Sequence, residues 1–334
     1  MSSTNSSFRL HADAGPGAAA VANPAAAYAR TPAPAATECA WCGHRFDEGD
    51  ERRPGRIKCA QCGVATTSPW PSDEQLGAAY ALWYRPEGGR FSGLGDKILA
   101  CTRSTLATRL NRVLPAGPVL DVGAGDGTLV AAFRRQGRDA TGVDPYYAGT
   151  DPHIRTAELT DMTGAWSAVI FWHSLEHVRQ PVRQLRHAAS LVVPGGMLVI
   201  AVPNAASLQA RLFGDQWLAL DLPRHLVHIC PSALLGEIEE LGFTVERVSY
   251  LRGGQVLFGW LHGLVRQLPG HPDLYDAIRR SEAQQQAQNP ARRLYALAAG
   301  AVALPFGLVG TAVELATRSG GTIYVQARRR AQAV

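Results

Sequence analysis

The stretch VLDVGAGDGTLVAAF, residues 119–133, constrains the fold more than any other part of the sequence. A short apolar run that contains an acid is followed by glycines at alternate positions and then by apolar residues at helical spacing. Gly123, Gly125 and Gly127 allow backbone N–H groups to approach a ligand closely, with the N-terminus of a helix from about Thr128 behind them. The pattern predicts a strand, a ligand-binding turn and a helix of an α/β fold.

Two acids accompany these glycines. Asp121 lies inside the first strand, and ATGVDP predicts a second strand that ends in Asp144, about twenty residues past the glycines, where an acid commonly binds a ribose diol. The spacing D-x-G-x-G-x-G differs from the G-x-G-x-x-G of dinucleotide sites. A carboxylate at Asp121 would repel a pyrophosphate, but it suits the ammonium group of an amino-acid cofactor.

This combination resembles the class I S-adenosylmethionine (SAM)-dependent methyltransferases over roughly residues 75–250 and again at the C-terminus. Later segments resemble the fourth to seventh strands of that family and the elements between them: AVIFWHSLEHV, ASLVVPGGMLVIAVPN, SALLGEIEELGFTVERVSY and GGTIYVQARR. The resemblance implies a Rossmann-like sheet of seven strands, six parallel and the seventh antiparallel, with helices on both faces. It also implies that Asp121 and the glycines of the turn hold the methionine part of SAM and that Asp144 holds the ribose.

One segment departs from the family pattern. Only 23 residues separate Asp144 from Ala168, and Pro145 and Pro152 fall among them. This leaves no room for the usual second helix together with a third strand. The contact on the adenine side is therefore assigned to either Glu158 or Asp161, and both alternatives stay open.

Polar residues on two loops are predicted to face the methyl acceptor. The loop after the fourth strand carries His173, Glu176 and His177, and the segment DLPRHLVHICP adds Arg224, His225 and His228. The methyl group of SAM is already activated as a sulfonium, so the protein must mainly align the acceptor and remove its proton. We expect His173, or alternatively His225 or His228, to be the general base, because a histidine titrates near neutral pH.

The first of these loops also resembles the Glu-x-x-Glu-His segment of ubiquinone-pathway O-methyltransferases and of small-RNA 2′-O-methyltransferases, in which carboxylates and histidines bind a divalent ion. Glu176 and His177 match this segment, whereas His173 replaces the first carboxylate. The resemblance implies a second divalent ion at Glu176 and His177. The alternative is that the two residues form a hydrogen-bonded pair that shapes the loop.

Four cysteines form two tight pairs near the N-terminus, in CAWCG at 39–43 and CAQCG at 59–63. Two C-x-x-C turns of this kind can complete a tetrahedral tetrathiolate site. A closed set of four sulfurs leaves no position for chemistry, which argues against a pair of redox dithiols. The sequence predicts a zinc ribbon over residues 38–72 with structural Zn²⁺ bound by Cys39, Cys42, Cys59 and Cys62.

The segments outside the ribbon and the methyltransferase core (73–250) have distinct compositions. Residues 1–37 are rich in Ala, Pro, Ser and Gly and are predicted to be a disordered tail of a cytoplasmic protein. Residues 251–317 form a hydrophobic helical insert, in which 294–313 carry no charge and Pro305 suggests a bend. Residues 318–334 supply the last strand and a basic tail.

Three interpretations of the insert stay open. It is a helical hairpin in peripheral contact with the inner face of the membrane, a lid over an apolar acceptor, or the interface of a homodimer. A single membrane crossing is disfavoured, because the last strand must return to the sheet.

The formal net charge is only +5 and the arginines are scattered in short pairs, so nucleic acid is disfavoured as a partner. We expect a methyltransferase that acts on an oxygen of a small molecule, such as a lipid-linked or sugar-containing metabolite. The competing hypotheses are a sugar-nucleotide methyltransferase, an RNA methyltransferase and a non-catalytic module that binds SAM or recruits a partner.

Overall fold

The computed structural model describes residues 28, 30, 33–81, 94–250, 253–278 and 289–331. Most of the tail predicted over residues 1–37, residues 279–288 of the insert and residues 332–334 of the basic tail lie outside the described residues.

Strands and helices alternate through the centre of the chain. The strands are β1 (Glu51–Arg53), β2 (Arg56–Lys58), β3 (Ala65–Thr67), β4 (Val119–Val122), β5 (Ala140–Val143), β6 (Ile154–Arg155), β7 (Trp166–Trp172), β8 (Val192–Pro203), β9 (Val227–His228), β10 (Phe243–Ser249) and β11 (Thr322–Arg329). The helices are α1 (Asp73–Ala81), α2 (Leu94–Asn111), α3 (Thr128–Arg135), α4 (Pro181–Leu191), α5 (Leu208–Phe213), α6 (Pro231–Glu240), α7 (Gly253–Arg266), α8 (Leu274–Ile278) and α9 (Pro290–Ala316).

A sheet of seven strands in the order β10-β11-β8-β7-β4-β5-β6 forms the core. β11 is antiparallel to both of its neighbours, whereas β8, β7, β4, β5 and β6 pair in parallel. β10 therefore runs in the same direction as those five strands, which confirms the six parallel strands and one antiparallel strand expected from the sequence.

The two faces of this sheet are buried under different elements. Alternate residues of a strand point to opposite faces, so Val119 of β4 packs with Leu106 and Phe133 of α2 and α3, while Leu120 packs in the cluster that contains α4 and α6. The second cluster also includes Cys39 and Cys59 of the N-terminal ribbon. The ribbon is thus part of the hydrophobic core rather than an appended domain.

The short connection between β5 and β7 forms little regular structure. It contains the two-residue strand β6 and a 3₁₀ helix at Leu159–Asp161, and no α-helix. This confirms that a helix and a full third strand do not both fit between Asp144 and Ala168.

The ribbon and the core share a second, smaller sheet. Its order is β1-β2-β3-β9, so that β9 of the methyltransferase core completes the sheet begun by the ribbon. Nothing in the spacing of the cysteines predicts this pairing.

The insert between β10 and β11 forms helices that pack along one another. α9 is one continuous helix through Pro305, and its Gly310 lies so close to α7 that an added Cβ would be 2.4 Å from Trp260. The opposite side of α9 is exposed, with Val302 73%, Phe306 66% and Val309 64% accessible. By length and composition alone α9 could cross a membrane, and 22% of its most apolar window is buried in the protein.

Candidate active site

A cavity of about 1470 Å³ opens at the carboxyl ends of the parallel strands. Its lining comes from the glycine turn, the ends of β5 and β7, the loop before β9, helices α1 and α2, and the insert. This volume exceeds the roughly 300–1,000 Å³ of ordinary small-ligand pockets. The cavity therefore has room for a cofactor and an acceptor together.

The glycine turn brings Asp144 to this cavity in a fixed orientation. Gly123 (φ 71°) and Gly125 (φ 59°) adopt left-handed angles that favour glycine, and both line the cavity. The Asp144 carboxylate accepts hydrogen bonds from the backbone N–H of Gly125 at 3.0 Å and of Tyr146 at 2.9 Å. The turn and the acid that ends β5 therefore form one rigid unit, as the sequence pattern requires.

Asp121 has the features expected of a residue that binds an ammonium group. Its side chain is buried at the end of β4, and Oδ1 has no hydrogen-bond partner in the described part of the chain. Burial raises the pKa of Asp121 to about 7, against the opposing charge of Arg103. Asp121 does not itself line the cavity, but Val122 and Gly123, which follow it, do. A buried carboxylate oxygen without a partner fits the ammonium end of SAM.

Gly127 and Asp161, both predicted to bind the cofactor, do not line the cavity. Gly127 precedes α3 at φ 74°, and an added Cβ would lie 2.1 Å from Ile154 Cδ1, so this glycine is required by packing against β6. Asp161 Oδ2 accepts the backbone N–H of Glu158 at 3.1 Å and thereby caps the 3₁₀ helix. Glu158 does line the cavity, and burial raises its pKa.

On the acceptor side, His173 directly follows β7 and lines the cavity with a strained backbone at φ 54°. Its Nδ1 lies 3.5 Å from Glu176 Oε1. Its Nε2 is buried and has no hydrogen-bond partner in the described ranges. One ring nitrogen is thus oriented by a carboxylate while the other is available to a ligand.

Glu176, His177 and His225 form a cluster whose ligand atoms lie within 4.8 Å of one another. His177 Nδ1 is 3.0 Å from the Arg224 carbonyl oxygen, and His225 Nδ1 is 2.7 Å from that of Ala219. A histidine that donates Nδ1–H to a carbonyl keeps its Nε2 lone pair available, as in many metal sites.

The charges in this cluster also suit a cation. Neither carboxylate oxygen of Glu176 has a hydrogen-bond partner among the described residues. Burial alone would raise the pKa of Glu176, but the neighbouring His173, His177 and His225 outweigh it and lower the pKa. Burial lowers the pKa of His177 to about 4, which keeps this histidine neutral. The residues present therefore fit a divalent ion.

Of the other residues predicted to face the acceptor, Arg224 and His225 line the cavity and His228 does not. Arg224 lines the cavity and pairs with Asp221, as His225 does at 3.6 Å. His228 does not reach the cavity: its Nε2 lies 3.2 Å from Thr67 Oγ1 in the sheet shared with the ribbon. This placement is a correction, because a general base must contact the acceptor.

Sequence reasoning missed Tyr80 and Asp221. The Tyr80 hydroxyl lies 3.0 Å from His177 Nδ1, and its ring stacks on Tyr146 with the centroids 4.6 Å apart. Tyr80 lies on α1, far from the other site residues in sequence, so no spacing could have identified it. Asp221 stands three residues before Arg224, which is a weak signal for a local ion pair.

The four ribbon cysteines approach one another as zinc ligands do. The Sγ atoms of Cys39 and Cys62 are 3.6 Å apart, and those of Cys42 and Cys59 are 3.7 Å apart. Tetrahedral zinc with bonds of about 2.3 Å places sulfurs roughly 3.8 Å apart, whereas a disulfide requires about 2.05 Å. The hydrogen bond between Cys39 and Cys62 lowers the pKa of the former to about 5 and raises that of the latter. The set fits Zn²⁺.

Comparisons with known proteins agree with this geometry. A family model described as a methyltransferase domain matches residues 100–248. The ubiquinone biosynthesis O-methyltransferase of Xanthomonas axonopodis pv. citri is 30% identical over 161 residues, which cover 41% of this chain and 67% of that protein. Its counterpart in Xanthomonas euvesicatoria is 29% identical over 166 residues, or 43% and 69% of the two chains.

Solved structures with a similar fold include the [4+2]-cyclase SpnF, with a TM-score of 0.45, 17% identity, and coverage of 78% of this chain and 97% of the other. Another is magnesium protoporphyrin IX methyltransferase from Synechocystis PCC 6803 with bound SAH, with a TM-score of 0.41, 18% identity, and coverage of 53% and 90%.

The curated relatives, the glycine turn and the acids beside it define the class. The chain belongs to the class I SAM-dependent methyltransferases. It is a methyltransferase that uses SAM as the methyl donor. The family match begins after the ribbon and ends before the insert.

Proposed function

We propose that this enzyme methylates an oxygen of an amphipathic small molecule, such as a lipid-linked or sugar-containing metabolite, with help from a divalent ion. The observation that carries this proposal is the buried cluster of Glu176, His177 and His225 beside the cavity. Nδ1 of each histidine lies against a carbonyl oxygen, and neither carboxylate oxygen of Glu176 has a hydrogen-bond partner in the described structure. His225 Nε2 lies 3.6 Å from Asp221 Oδ2. The likeness to ubiquinone biosynthesis O-methyltransferases supports oxygen as the acceptor atom.

Each side of the cavity then has a separate task. Asp121, Gly123, Gly125 and Asp144 bind and orient SAM, which supplies a methyl group activated on a sulfonium. A hydroxyl acceptor must lose its proton as the new bond forms, and a divalent ion at the cluster would lower the pKa of that hydroxyl. The structural Zn²⁺ at the four cysteines takes no part in this chemistry, because its coordination is complete.

His173 is the proposed proton acceptor. Its Nε2 has no partner in the described ranges, and its Nδ1 faces Glu176, which orients the imidazole. A base oriented by a carboxylate is a recurrent arrangement in enzymes that activate hydroxyl groups. His225 is assigned to the ion instead, because its Nδ1 is committed to the Ala219 carbonyl oxygen.

The walls of the cavity favour an acceptor with an apolar part. They include Trp172, Trp217 and Leu218, and the insert adds Phe258 and Tyr275 from α7 and α8. An acceptor that was polar throughout would leave these surfaces hydrated when it bound. Burial of apolar groups here stabilises the complex by about 25 cal/mol per Å².

The exposed face of α9 supports contact with the inner face of the membrane. Glu314 is the only acid of this helix, and it is fully buried, where it accepts hydrogen bonds from Gln209 and Trp260. Arg292 and Arg293 at one end and Arg318 just past the other end flank the apolar face. This pattern complements anionic lipids. Two copies packed through this face would bring like charges together, which disfavours the homodimer.

The identity of the acceptor is tested with zinc-loaded protein, methyl-labelled SAM, Mn²⁺ and a bacterial cell extract. Products are separated into organic, small aqueous and macromolecular fractions. We expect label in the organic fraction. Label among the small aqueous products would instead identify a sugar nucleotide or another polar metabolite, and label in RNA would contradict the proposal. SAM binding without any labelled product would favour a binding module.

The role of the ion is tested separately. The protein is dialysed against a chelator until only the ribbon zinc remains by metal analysis, and we expect methyl transfer to stop and to return with added Mn²⁺ or Mg²⁺. Full activity in the dialysed protein would exclude the ion.

Membrane contact is tested by sedimentation with vesicles of phosphatidylcholine alone or mixed with phosphatidylglycerol. We expect binding to the anionic vesicles only, and its loss when Val302, Phe306 and Val309 are all replaced by Ser. Leu212→Ser is the control, because Leu212 is also largely exposed, at 59%, but lies on α5. Equal sedimentation of the triple variant and the wild type would contradict the proposal.

A further inference from the structure

The zinc ribbon contacts the active site mainly through residues 221–230, which we call the acceptor loop. Trp70 and Pro71 of the ribbon also contact Arg179, which lines the cavity. β9 within this loop pairs with β3 of the ribbon, with Ala65 opposite His228 and Thr66 opposite Val227. The backbone N–H of Thr67 extends the pairing by donating to the Leu226 carbonyl oxygen at 3.0 Å. Backbone hydrogen bonds thus join the ribbon to the loop that carries His225.

The other edge of the acceptor loop bonds to the turn that carries Glu176. The Leu226 N–H donates to the Glu176 carbonyl oxygen at 2.8 Å, and the Arg224 carbonyl oxygen lies 3.0 Å from His177 Nδ1. Leu226 therefore has the ribbon on one side and the Glu176 turn on the other. All the residues of the proposed ion site are connected to β3 through this loop.

Thr67 adds a side-chain contact to these backbone hydrogen bonds. It is fully buried, and its hydroxyl donates to the His225 carbonyl oxygen at 2.7 Å. Because that proton is used, His228 must donate Nε2–H to Thr67 Oγ1, 3.2 Å away. Burial holds the pKa of His228 well below its usual value, so the ring stays neutral. One hydroxyl thus holds both histidines of the acceptor loop.

Two further contacts fix the loop from outside β9. The Cys230 thiol donates to the carbonyl oxygen of the zinc ligand Cys62 at 3.5 Å, and Arg56 of β2 forms an ion pair with Asp215 at 2.9 Å. Asp215, which precedes the acceptor loop, and Cys230, which ends it, therefore both contact the ribbon.

We infer that the zinc-loaded ribbon positions the acceptor loop, and that Thr67 is the positioning residue through which it orients His225. A segment as short as the ribbon depends on its metal to stay folded. Loss of zinc would release β3, and with it the loop. The glycine turn makes none of these contacts, so SAM binding would persist. The consequence for catalysis rests on the proposed function, whereas the coupling between ribbon and loop does not.

The first test compares hydrogen exchange in variants of adjacent threonines. Thr67→Val removes the hydroxyl that contacts His225 and His228, and we expect exchange of acceptor-loop amides to rise roughly tenfold, as for the loss of a buried hydrogen bond. Thr66→Val is the matched control, since Thr66 is equally buried but its hydroxyl accepts only the Ala40 N–H within the ribbon. Thr67→Ser restores the hydroxyl and should restore protection.

Steady-state kinetics of the same variants separates positioning from a general loss of structure. Thr67→Val should lower kcat about tenfold while the Kd for SAM stays unchanged, and Thr67→Ser should recover most of the rate. Unchanged loop exchange in Thr67→Val, or an equal rise in Thr66→Val, would overturn the inference.

The second test needs no variant. Zinc is removed from the wild type and its loss verified by metal analysis; exchange in residues 221–230 should rise together with that of the ribbon, while residues 121–127 and the Kd for SAM stay unchanged. A loop that remains protected without zinc would contradict the inference. If these exchange results hold but no form of the protein transfers methyl groups, the proposed function fails and the coupling between ribbon and loop stands.

Discussion

The cofactor side and the acceptor side of the cavity are built in different ways. Residues from Asp121 to Asp144 are close in sequence, and backbone geometry alone brings the glycine turn to the acid that ends β5. The acceptor side is assembled from α1, the turn after β7, the acceptor loop and the ribbon, which are far apart in sequence. A substitution on the cofactor side is therefore expected to have only local effects. The acceptor side depends on hydrogen bonds between segments that are far apart in sequence.

The two sides nevertheless touch, both where Tyr80 stacks on Tyr146 and between Gly123 and Ser174. An added Cβ at Gly123 would lie 2.4 Å from the Ser174 Cβ, and the Ser174 hydroxyl donates to the Val122 carbonyl oxygen at 2.5 Å. Gly123 is therefore required by the neighbouring acceptor turn as well as by the cofactor. In the proposed function, this contact would align SAM with the acceptor even though their sites are built separately.

The largest effect that separates the two sides is expected for Glu176→Gln. The amide is nearly isosteric but cannot supply the anionic ligand, so kcat should fall at least about a hundredfold. The Kd for SAM should change less than twofold, because Glu176 makes no contact with the glycine turn. Isothermal titration with SAM and single-turnover methyl transfer measure the two quantities. A parallel loss of SAM binding would show that the two sides are not separable.

The converse effect is expected for Asp121→Asn. Removal of the carboxylate should weaken SAM binding by roughly tenfold to a hundredfold, as for the loss of a charge-assisted contact. The variant should also be more stable without SAM, by about 1–3 kcal/mol in the free energy of unfolding, because a buried oxygen without a partner is costly when charged. Titration with SAM and urea unfolding test both points, and lower stability of the variant would contradict this account.

The difference between the cofactor side and the acceptor side also determines how much of the structure could be predicted from the sequence. The strand, turn and helix around Gly123, the sheet with one antiparallel strand and the two zinc turns could be predicted, because each depends on residues close in sequence or on family motifs. Gly43 and Gly63 both adopt φ 75°, as the two cysteine turns require. The pairing of β3 with β9 could not be predicted, because strands of two or three residues carry no register signal.

Candidate site residues were harder to predict where one residue type serves two purposes. His225 and His228 are three residues apart in a single motif, yet one lines the cavity and the other bonds to Thr67. Strand pairing with the ribbon determines which histidine faces the cavity. Gly127 likewise follows the periodicity of the turn but is required by Ile154.

A smaller effect is expected from pH, through Asp121 alone. Its pKa is raised from the ordinary 3.8 to about 7 mainly by burial, with Arg103 opposing and Asp144 and Asp126 adding to the rise. The ionised form binds the ammonium group, so SAM affinity should fall about tenfold from pH 8 to pH 6. Stability of the unliganded protein should have the opposite slope and fall as pH rises through this range. In Asp121→Asn, the pH dependence of SAM affinity and the pH dependence of stability that come from this group should both disappear. If the variant keeps them, another group is responsible.

The smallest effect concerns the adenine end of the cofactor site. The sequence did not decide whether Glu158 or Asp161 contacts the cofactor there. Glu158→Gln should weaken SAM binding by about threefold to tenfold if this side chain accepts a hydrogen bond from the nucleoside, since it lines the cavity. Asp161→Ala should leave SAM affinity unchanged and lower the free energy of unfolding by about 1 kcal/mol, because its carboxylate caps the 3₁₀ helix. The two variants are compared by SAM titration and urea unfolding at one pH. If Asp161→Ala also weakens SAM binding, then the cap orients Glu158 toward the cofactor and the two acids act together.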